Sequence, residues 1–199
     1  MAKYFLILVL FFAPITTFGA TITTTSSTGG VSNFNYPSGG GGAVSLYKAQ
    51  SFVATADGTI TSLVVNIGYN NNGTPDGDCR ISIYSNSAGV PGTELAFGSP
   101  STGSMPSDGT TADMTVTLDT SPSVTNGTTY WILYGGGTAT PSNLHYFLIG
   151  GDNPNTYGSF LGGDSIPPTT SVDRTGRAVI TITTAATVVS QILTWFSWW

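Results

Sequence analysis

Apolar and polar residues alternate along several short stretches of this chain. In the clearest of these, 112–119, single threonines separate Met114, Val116 and Leu118. Side chains of a β-strand point to opposite faces in turn, so a two-residue period predicts a strand with one buried face. The apolar residues of 112–119 are therefore expected to face the interior, and its threonines are expected to face solvent.

Similar stretches recur along the chain, separated by segments rich in Gly, Asn, Asp and Pro. They cover 44–54, 59–69, 79–85, 112–119, 126–137, 143–150 and 177–183, with a turn and a short strand in 86–96. No ten-residue segment of 44–184 shows the period of a helix. Seven or eight strands at this spacing predict an all-β fold, namely a single β-sandwich of jelly-roll or Greek-key type.

The segment 126–137, NGTTYWILYGGG, carries a dense aromatic block after an Asn-Gly turn. Its strand is bulky on both faces, with Tyr130, Ile132 and Tyr134 on one and Trp131 and Leu133 on the other. A strand that is apolar on both faces is usually central and covered on both sides. We therefore interpret the block first as core. A ligand-binding role for Trp131 and Tyr134 is the alternative.

The two ends of the chain differ from its middle. Residues 1–19 combine one lysine, an uninterrupted apolar run and small residues before Gly19, which predicts a cleaved signal peptide and secretion. Residues 20–43 predict a flexible leader, and 44–184 predict the β-sandwich domain. The apolar, tryptophan-rich residues 185–199 predict a short helix or tail. This tail could contact a membrane interface, contact another subunit, or begin a longer segment.

The amino-acid composition excludes one class of binding partner. Charged residues make up 8% of the chain, the net charge is −5, and only five residues are Lys or Arg. Binding to nucleic acid needs a basic footprint, so we expect no nucleic-acid partner. The single cysteine, Cys79, permits no internal disulfide, and its place beside an alternating run predicts a buried strand residue.

Candidate catalytic chemistry is sparse. His145 is the only histidine, and the chain lacks a G-x-S-x-G elbow. Glu94 is the only glutamate, while the aspartates are spread over turn segments, where Asp usually shapes the backbone. We therefore interpret His145 as structural and expect a protein that is not an enzyme.

Two loops carry candidate binding residues. Asp76 and Asp78 lie two residues apart in an Asn- and Gly-rich segment, and hard oxygen ligands of this kind suit Ca²⁺. The alternative is ordinary turn chemistry without a metal. Asn155 and Tyr157 lie in the loop 153–160, and a loop aromatic beside an amide side chain fits a glycan. Packing of Tyr157 against the sandwich edge is the alternative.

Three motifs in order resemble a known family, the bacterial exported module called the choice-of-anchor R domain. They are Gln50-Ser51-Phe52, then Ile83-Tyr84-Ser85 through Gly89, Pro91-Gly92 and Leu95-Ala96, then Gly127 through Ile132. The resemblance spans roughly residues 48–150. It implies a β-sandwich on a secreted or surface protein, joined to varied C-terminal anchors, and it implies no particular ligand. Pro91-Gly92 also fits a type II turn, and Asn126-Gly127 fits a hairpin turn.

Together these features predict a secreted or cell-surface, non-catalytic module that binds a surface polysaccharide or another extracellular ligand. The alternative is a structural subunit that assembles into a filament, sheath or envelope layer, with self-association through residues 185–199. A glycan-active enzyme is the least favoured of the three.

Overall fold

The computed structural model describes ten parts of the chain. These are residues 19–24, 31–34, 47–69, 79–100, 104–136, 147–152, 160–163, 166–168, 170–171 and 175–184. The described residues are nearly all β and contain no α-helix. The all-β fold class is therefore confirmed. The predicted tail helix and most of the predicted signal peptide lie outside the described residues.

The described residues form fourteen strands. They are β1 (Gly19–Thr23), β2 (Val31–Phe34), β3 (Tyr47–Val53), β4 (Gly58–Tyr69), β5 (Cys79–Ser87), β6 (Val90–Ser99), β7 (Ala112–Leu118), β8 (Ser123–Val124), β9 (Thr129–Gly136), β10 (Phe147–Asp152), β11 (Phe160–Gly163), β12 (Thr170–Ser171), β13 (Thr175–Gly176) and β14 (Ala178–Thr183). Every predicted strand from residue 44 onward has a counterpart in this list. The short strand predicted within 86–96 is the longer β6.

The strands form one antiparallel, curled sheet with the order β1-β14-β4-β7-β6-β5-β9-β3-β11-β12. Strands β2, β8 and β10 attach near β4, and β13 pairs with β10. We call the part from β1 to β7, with these additions, the first half-sheet, and the part from β6 to β12 the second half-sheet. Strands β6 and β7 join the halves through two paired positions, Gly98 with Leu118 and Ser99 with Thr117, and the Asp119 N–H donates to the Phe97 carbonyl at 2.7 Å beside them.

Gly98 is required at this junction. A Cβ atom at position 98 would overlap the carbonyl oxygen of Thr117, which belongs to the backbone of the neighbouring strand. Backbone atoms in a paired strand cannot move away at low cost, so the close approach of β6 and β7 depends on a residue without a side chain.

The alternating positions fill one interior. Leu63, Val65 and Ile67 of β4 share a buried cluster with Ile81 and Ile83 of β5, as the two-residue period predicts. The cluster also includes Met114 and Val116, while Thr115 and Thr117 are exposed. Since this cluster takes residues from both half-sheets, the hydrophobic effect acts on both halves together.

The turn between β5 and β6 differs from the sequence prediction. Ala88 and Gly89 form the two-residue turn, with φ angles of 50° and 88°, and Ser87 pairs with Val90. Two successive positive φ angles are typical of a type I′ turn, whose twist matches that of the flanking strands. The type II turn predicted at Pro91-Gly92 is therefore wrong, because both residues lie within β6.

The Asn126-Gly127 turn does not connect two adjacent strands. It follows β8, which pairs with β4, and precedes β9, which pairs with β3 and β5. The Asn126 N–H donates to Asp57 Oδ1 at 2.8 Å, and the Gly127 N–H donates to the Ala54 carbonyl at 2.8 Å. The turn thus carries the chain from the first half-sheet to the second.

The predicted leader contains two strands. β1 pairs with β14, and β2 pairs with β10. Ile22 is 4% exposed and belongs to the core, and Thr24 Oγ1 donates to the Gly176 carbonyl at 2.6 Å and accepts from the Ala178 N–H at 2.9 Å. Two parts of the predicted leader, within 20–23 and 31–34, are therefore strand residues of the sheet. Threonine favours strands, which explains how a Thr-rich segment supplies one.

Candidate functional site

Only Trp131 and Tyr134 of the predicted ligand-binding set lie in the described residues, and the structure places them on opposite faces of one strand. Trp131 and Tyr134 lie in β9, and they are 1% and 0% exposed. Neither ring can stack on a ligand at the surface, so their predicted ligand-binding role is corrected to a core role. Tyr157, Asn155, Asp76 and Asp78 lie outside the described residues, as does His145.

Strand β9 is buried because of its position. It lies between β3 and β5, and its two faces contribute to two clusters. Tyr130, Ile132 and Tyr134 join the inner core, whereas Trp131 and Leu133 join a smaller cluster on the outer face. The prediction of a central strand covered on both sides is confirmed.

Two polar side-chain groups of β9, the Tyr130 hydroxyl and the Trp131 indole N–H, have hydrogen-bond partners outside the strand. The Thr125 N–H donates to the Tyr130 hydroxyl oxygen at 3.0 Å, and Trp131 Nε1 donates to Asn86 Oδ1 at 2.9 Å. These bonds fix the orientation of both rings, because a buried polar group without a partner would cost free energy.

The outer face of the second half-sheet carries a charged and aromatic set that sequence reasoning did not select. Because Cys79, Ile81 and Ile83 point into the core, Arg80 and Tyr84 of β5 point outward. Glu94 of β6 pairs with Tyr84 in register. Arg80 Nη2 donates to Glu94 Oε1 at 2.6 Å, and the Tyr84 hydroxyl donates to Glu94 Oε2 at 3.1 Å.

Two further rings border this set. The guanidinium carbon of Arg80 lies 3.6 Å from the centre of the Phe97 ring, a cation–π contact. Tyr47 lies over Gly135, since a Cβ atom at position 135 would be 2.8 Å from Tyr47 Cδ1. Gly135 is the cross-strand partner of Arg80, so it leaves space for the Tyr47 ring beside the arginine. We call Arg80, Tyr84, Glu94, Phe97 and Tyr47 the Arg80 face.

The charged atoms of the Arg80 face remain in contact with solvent. The side chains of Arg80 and Glu94 are 35% and 31% exposed. Burial raises the pKa of Tyr84 to about 12, with a further increase from the charge and hydrogen bond of Glu94. The phenol therefore stays protonated and keeps donating to Glu94 throughout the physiological pH range.

The first half-sheet carries a second arginine–carboxylate pair. Arg177 Nη2 donates to Asp113 Oδ2 at 2.7 Å, and Arg177 Nε donates to Asp113 Oδ1 at 3.0 Å. Asn66 Nδ2 also donates to Asp113 Oδ1, at 2.8 Å. The hydrogen bond from Arg177 is the main cause that lowers the pKa of Asp113 below its usual range, and the same bond raises the pKa of Arg177.

The described residues offer little reactive chemistry. Cys79 is a free, buried cysteine, as predicted, and burial raises the pKa of its thiol, which keeps it protonated and unreactive. No group of three His, Cys, Asp or Glu side chains lies close enough to hold a metal ion in this part of the chain. Within the same residues, no helix has the length and apolar character needed to cross a membrane.

Part of the Arg80 face could have been predicted from the sequence. The alternation in 79–85 already places Arg80 and Tyr84 on one face, opposite Ile81 and Ile83. Glu94 could not be added, because its register with Tyr84 depends on the Ala88-Gly89 turn and on two irregularities in the β5–β6 pairing.

Comparisons with known proteins add no assignment. No protein-family model matches the chain, and no curated protein matches it at a significant level. The resemblance to the choice-of-anchor R domain therefore stays a prediction.

Proposed function

We propose that this protein is a secreted, non-catalytic β-sandwich module that binds a neutral extracellular polysaccharide through the Arg80 face. The observation that carries the proposal is the Arg80–Glu94–Tyr84 set, a solvent-exposed charge pair held among aromatic rings. The signal-peptide pattern of residues 1–19 supports an extracellular location.

The composition of the core supports the sandwich part of the proposal. Ile132 of the second half-sheet and Ile180 of the first belong to one buried cluster, although among the described strands only β6 and β7 pair across the halves. Gly176 of β13 supports the same arrangement, since a Cβ atom there would lie 2.9 Å from Gln50 Oε1 of β3. Two half-sheets that face each other across a common core form a sandwich.

Sugar hydroxyls fit the polar groups of the Arg80 face. A hydroxyl both donates and accepts hydrogen bonds, Glu94 supplies only acceptors, and Arg80 supplies only donors. Neighbouring hydroxyls of one sugar ring can therefore bond to both side chains. Because the two charges cancel, the face favours a neutral polysaccharide over an acidic one.

The surrounding rings supply the apolar part of the site. Phe97 and Tyr47 are half-buried and flank Arg80, so the exposed parts of their rings can contact the C–H face of a sugar ring. Both rings lie on strands of a paired sheet, which fixes their positions before any ligand binds. A preorganised site of this kind loses less conformational entropy on binding.

Affinity electrophoresis tests the proposal. The purified protein runs through native gels that contain a soluble neutral glucan, mannan or galactan, with hyaluronan as the acidic comparison. We expect at least one neutral polysaccharide to retard the protein and hyaluronan to have no effect. Arg80→Ala and Glu94→Ala should abolish the retardation, because each removes half of the hydrogen-bonding set.

Arg177→Ala is the matched control, since it removes the equivalent pair from the first half-sheet and should leave binding intact. Tyr157→Ala separates the Arg80 face from the loop 153–160. Loss of binding in Tyr157→Ala alone would transfer the site to that loop. A wild-type protein that none of the polysaccharides retards would refute the proposed function.

A further inference from the structure

Strand β1 ends the sheet and has a pairing partner on one side only among the described residues. It pairs with β14 over Gly19–Thr23, while the strand at the opposite end of the order, β12, has only two residues. An edge strand exposes backbone N–H and C=O groups that can pair with a further strand. β1 is therefore the longer of the two terminal strands in this order.

The hydrogen-bonding direction of β1 follows from its last contact. The Thr24 N–H donates to the Ala178 carbonyl at 3.0 Å, and the register places Thr23 opposite Val179. Backbone groups of an antiparallel strand point to alternate sides, so Ile22 also points its groups to β14. The N–H and C=O groups of Thr21 and Thr23 then point away from β14, toward the open edge.

Nothing in the sequence protects this edge. Natural edge strands carry Lys, other charges, Pro or bulges that prevent pairing with another chain. β1 reads Gly-Ala-Thr-Ile-Thr, its register with β14 is regular, and no charged residue occurs between Lys3 and Lys48. The strand therefore lacks the charges, prolines and bulges that discourage association, and its length of five residues is the one protective feature it has.

The edge is also complementary to itself. If two copies of β1 run antiparallel about a twofold axis at Thr21, Thr21 faces Thr21 of the second copy, and Ala20 faces Ile22. This register keeps the buried Ile22 and the half-buried Ala20 on the inner face of both sheets and the exposed threonines on the outer face. Cross-strand Thr–Thr pairs are favourable, and no like charges oppose each other.

We propose that β1 pairs with β1 of a second copy of this chain, so that one antiparallel sheet continues across a symmetric dimer. We choose a second copy of the chain as the partner because a twofold contact needs a strand that can pair with itself. In the register about Thr21, β1 pairs with itself while its buried and exposed faces stay aligned in both copies. After cleavage following Gly19, the Thr21–Thr21 pair keeps its two backbone hydrogen bonds across the axis and Ala20 still faces Ile22, while the bonds between Gly19 and Thr23 are lost. This interface is separate from the Arg80 face and does not depend on polysaccharide binding.

Sedimentation velocity of the purified protein tests the interface. We expect wild type to sediment with twice the mass of one chain at high concentration. Thr21→Lys should shift the protein to single chains, because it places two lysines directly opposite each other at the twofold axis. Thr21 is exposed, so the substitution leaves the fold of each copy intact, which circular dichroism verifies.

Two further variants make the result specific. Thr115→Lys adds the same charge at an exposed threonine of β7, within the sheet, and should dimerise like wild type. A mixture of Thr21→Lys and Thr21→Glu should regain the dimer, because opposite charges then meet at the axis. Single chains for wild type at millimolar concentration, or a Thr21→Lys protein that associates like wild type, would overturn the proposal.

Discussion

The two half-sheets each carry one arginine–carboxylate pair on the outer face, and the pairs differ in what surrounds them. The closest contact is 2.6 Å between Arg80 and Glu94 and 2.7 Å between Arg177 and Asp113. Arg80 lies against the Phe97 ring, and Tyr84 donates to Glu94. Asp113 instead accepts from Asn66 as well as from Arg177.

The backbone around each arginine explains the difference. The Asn66 N–H donates to the Arg177 carbonyl at 2.9 Å, and the Arg177 N–H donates to the Gly150 carbonyl at 2.8 Å. Arg177 is thus fixed through its backbone and its side chain, and it links β4, β7 and β10. Arg80 and Glu94 belong to one hairpin, β5–β6, so their bond links no distant part of the fold.

This comparison shows that two similar ion pairs can have different consequences. The Arg177 pair fastens strands that are far apart in sequence, so its loss should affect stability. The Arg80 pair covers an aromatic surface and leaves charged atoms in solvent, so its loss should affect binding more than stability.

The largest expected effect is on the free energy of unfolding, and it compares one residue on the outer face of each half-sheet. Under the second half-sheet's outer face, Trp131 is fully buried, and Trp131→Ala should lower the free energy of unfolding by about 3–5 kcal/mol. The first half-sheet exposes threonines instead, and Thr115→Ala should change the free energy by less than about 0.5 kcal/mol. Urea denaturation followed by circular dichroism measures both values.

Trp131→Phe refines this test. It keeps most of the ring volume but removes the bond from Nε1 to Asn86. Its cost should be well below that of Trp131→Ala. A loss under about 1 kcal/mol for Trp131→Ala would contradict the packed outer cluster of Ala49, Tyr84, Trp131, Leu133 and Leu161.

The sequence predicts the direction of side chains much better than it predicts their neighbours. The two-residue period correctly separates Tyr130, Ile132 and Tyr134 from Trp131 and Leu133, and it correctly buries Cys79. The ligand-binding interpretation of Trp131 and Tyr134 failed because it weighed the aromatic type of the residues over the apolar character of both faces.

The local sequence pattern does not predict which strands pair when they are far apart in the chain. Thr24 bonds to the Gly176 carbonyl across 152 positions of sequence, and no short-range signal connects these residues. The same limit applies to the Arg80 face, whose register depends on the β5–β6 turn. Composition likewise gives no sign of strand β1 in the Thr-rich residues 20–23, because threonines are common both in strands and in linkers.

A double-mutant cycle for each ion pair gives the next largest effect. The variants are Arg177→Met and Asp113→Ala, singly and together, and Arg80→Met and Glu94→Ala in the same way. We expect a coupling free energy of about 1 kcal/mol for Arg177–Asp113, because the bond is bidentate and Asn66 completes it.

The Arg80–Glu94 pair should couple by only about 0.5 kcal/mol or less, since one hydrogen bond joins two side chains that are each about one-third exposed. Urea denaturation supplies the free energy of unfolding for every variant. Equal coupling energies in the two cycles would show that Arg177–Asp113 stabilises the fold no more than Arg80–Glu94 does.

The smallest expected effect is the acid dependence of stability that Asp113 contributes. Arg177 lowers the pKa of Asp113 in the folded protein below its usual 3.8. The bonded carboxylate therefore stabilises the fold above its unfolded pKa, and this contribution is lost as the pH falls through the lowered folded value. Because the Asp113 side chain is 40% exposed, solvent screening keeps the contribution below about 1 kcal/mol.

Asp113→Asn tests this assignment. We expect the free energy of unfolding of wild type to fall more steeply than that of Asp113→Asn between about pH 5 and pH 2, because only wild type gains a proton at this site on unfolding. The difference should shrink at high ionic strength, which screens the partly exposed pair. Parallel pH profiles for the two proteins would show that the Arg177–Asp113 pair does not couple folding to protonation. The Arg177–Asp113 pair would then contribute no more to stability than the Arg80–Glu94 pair.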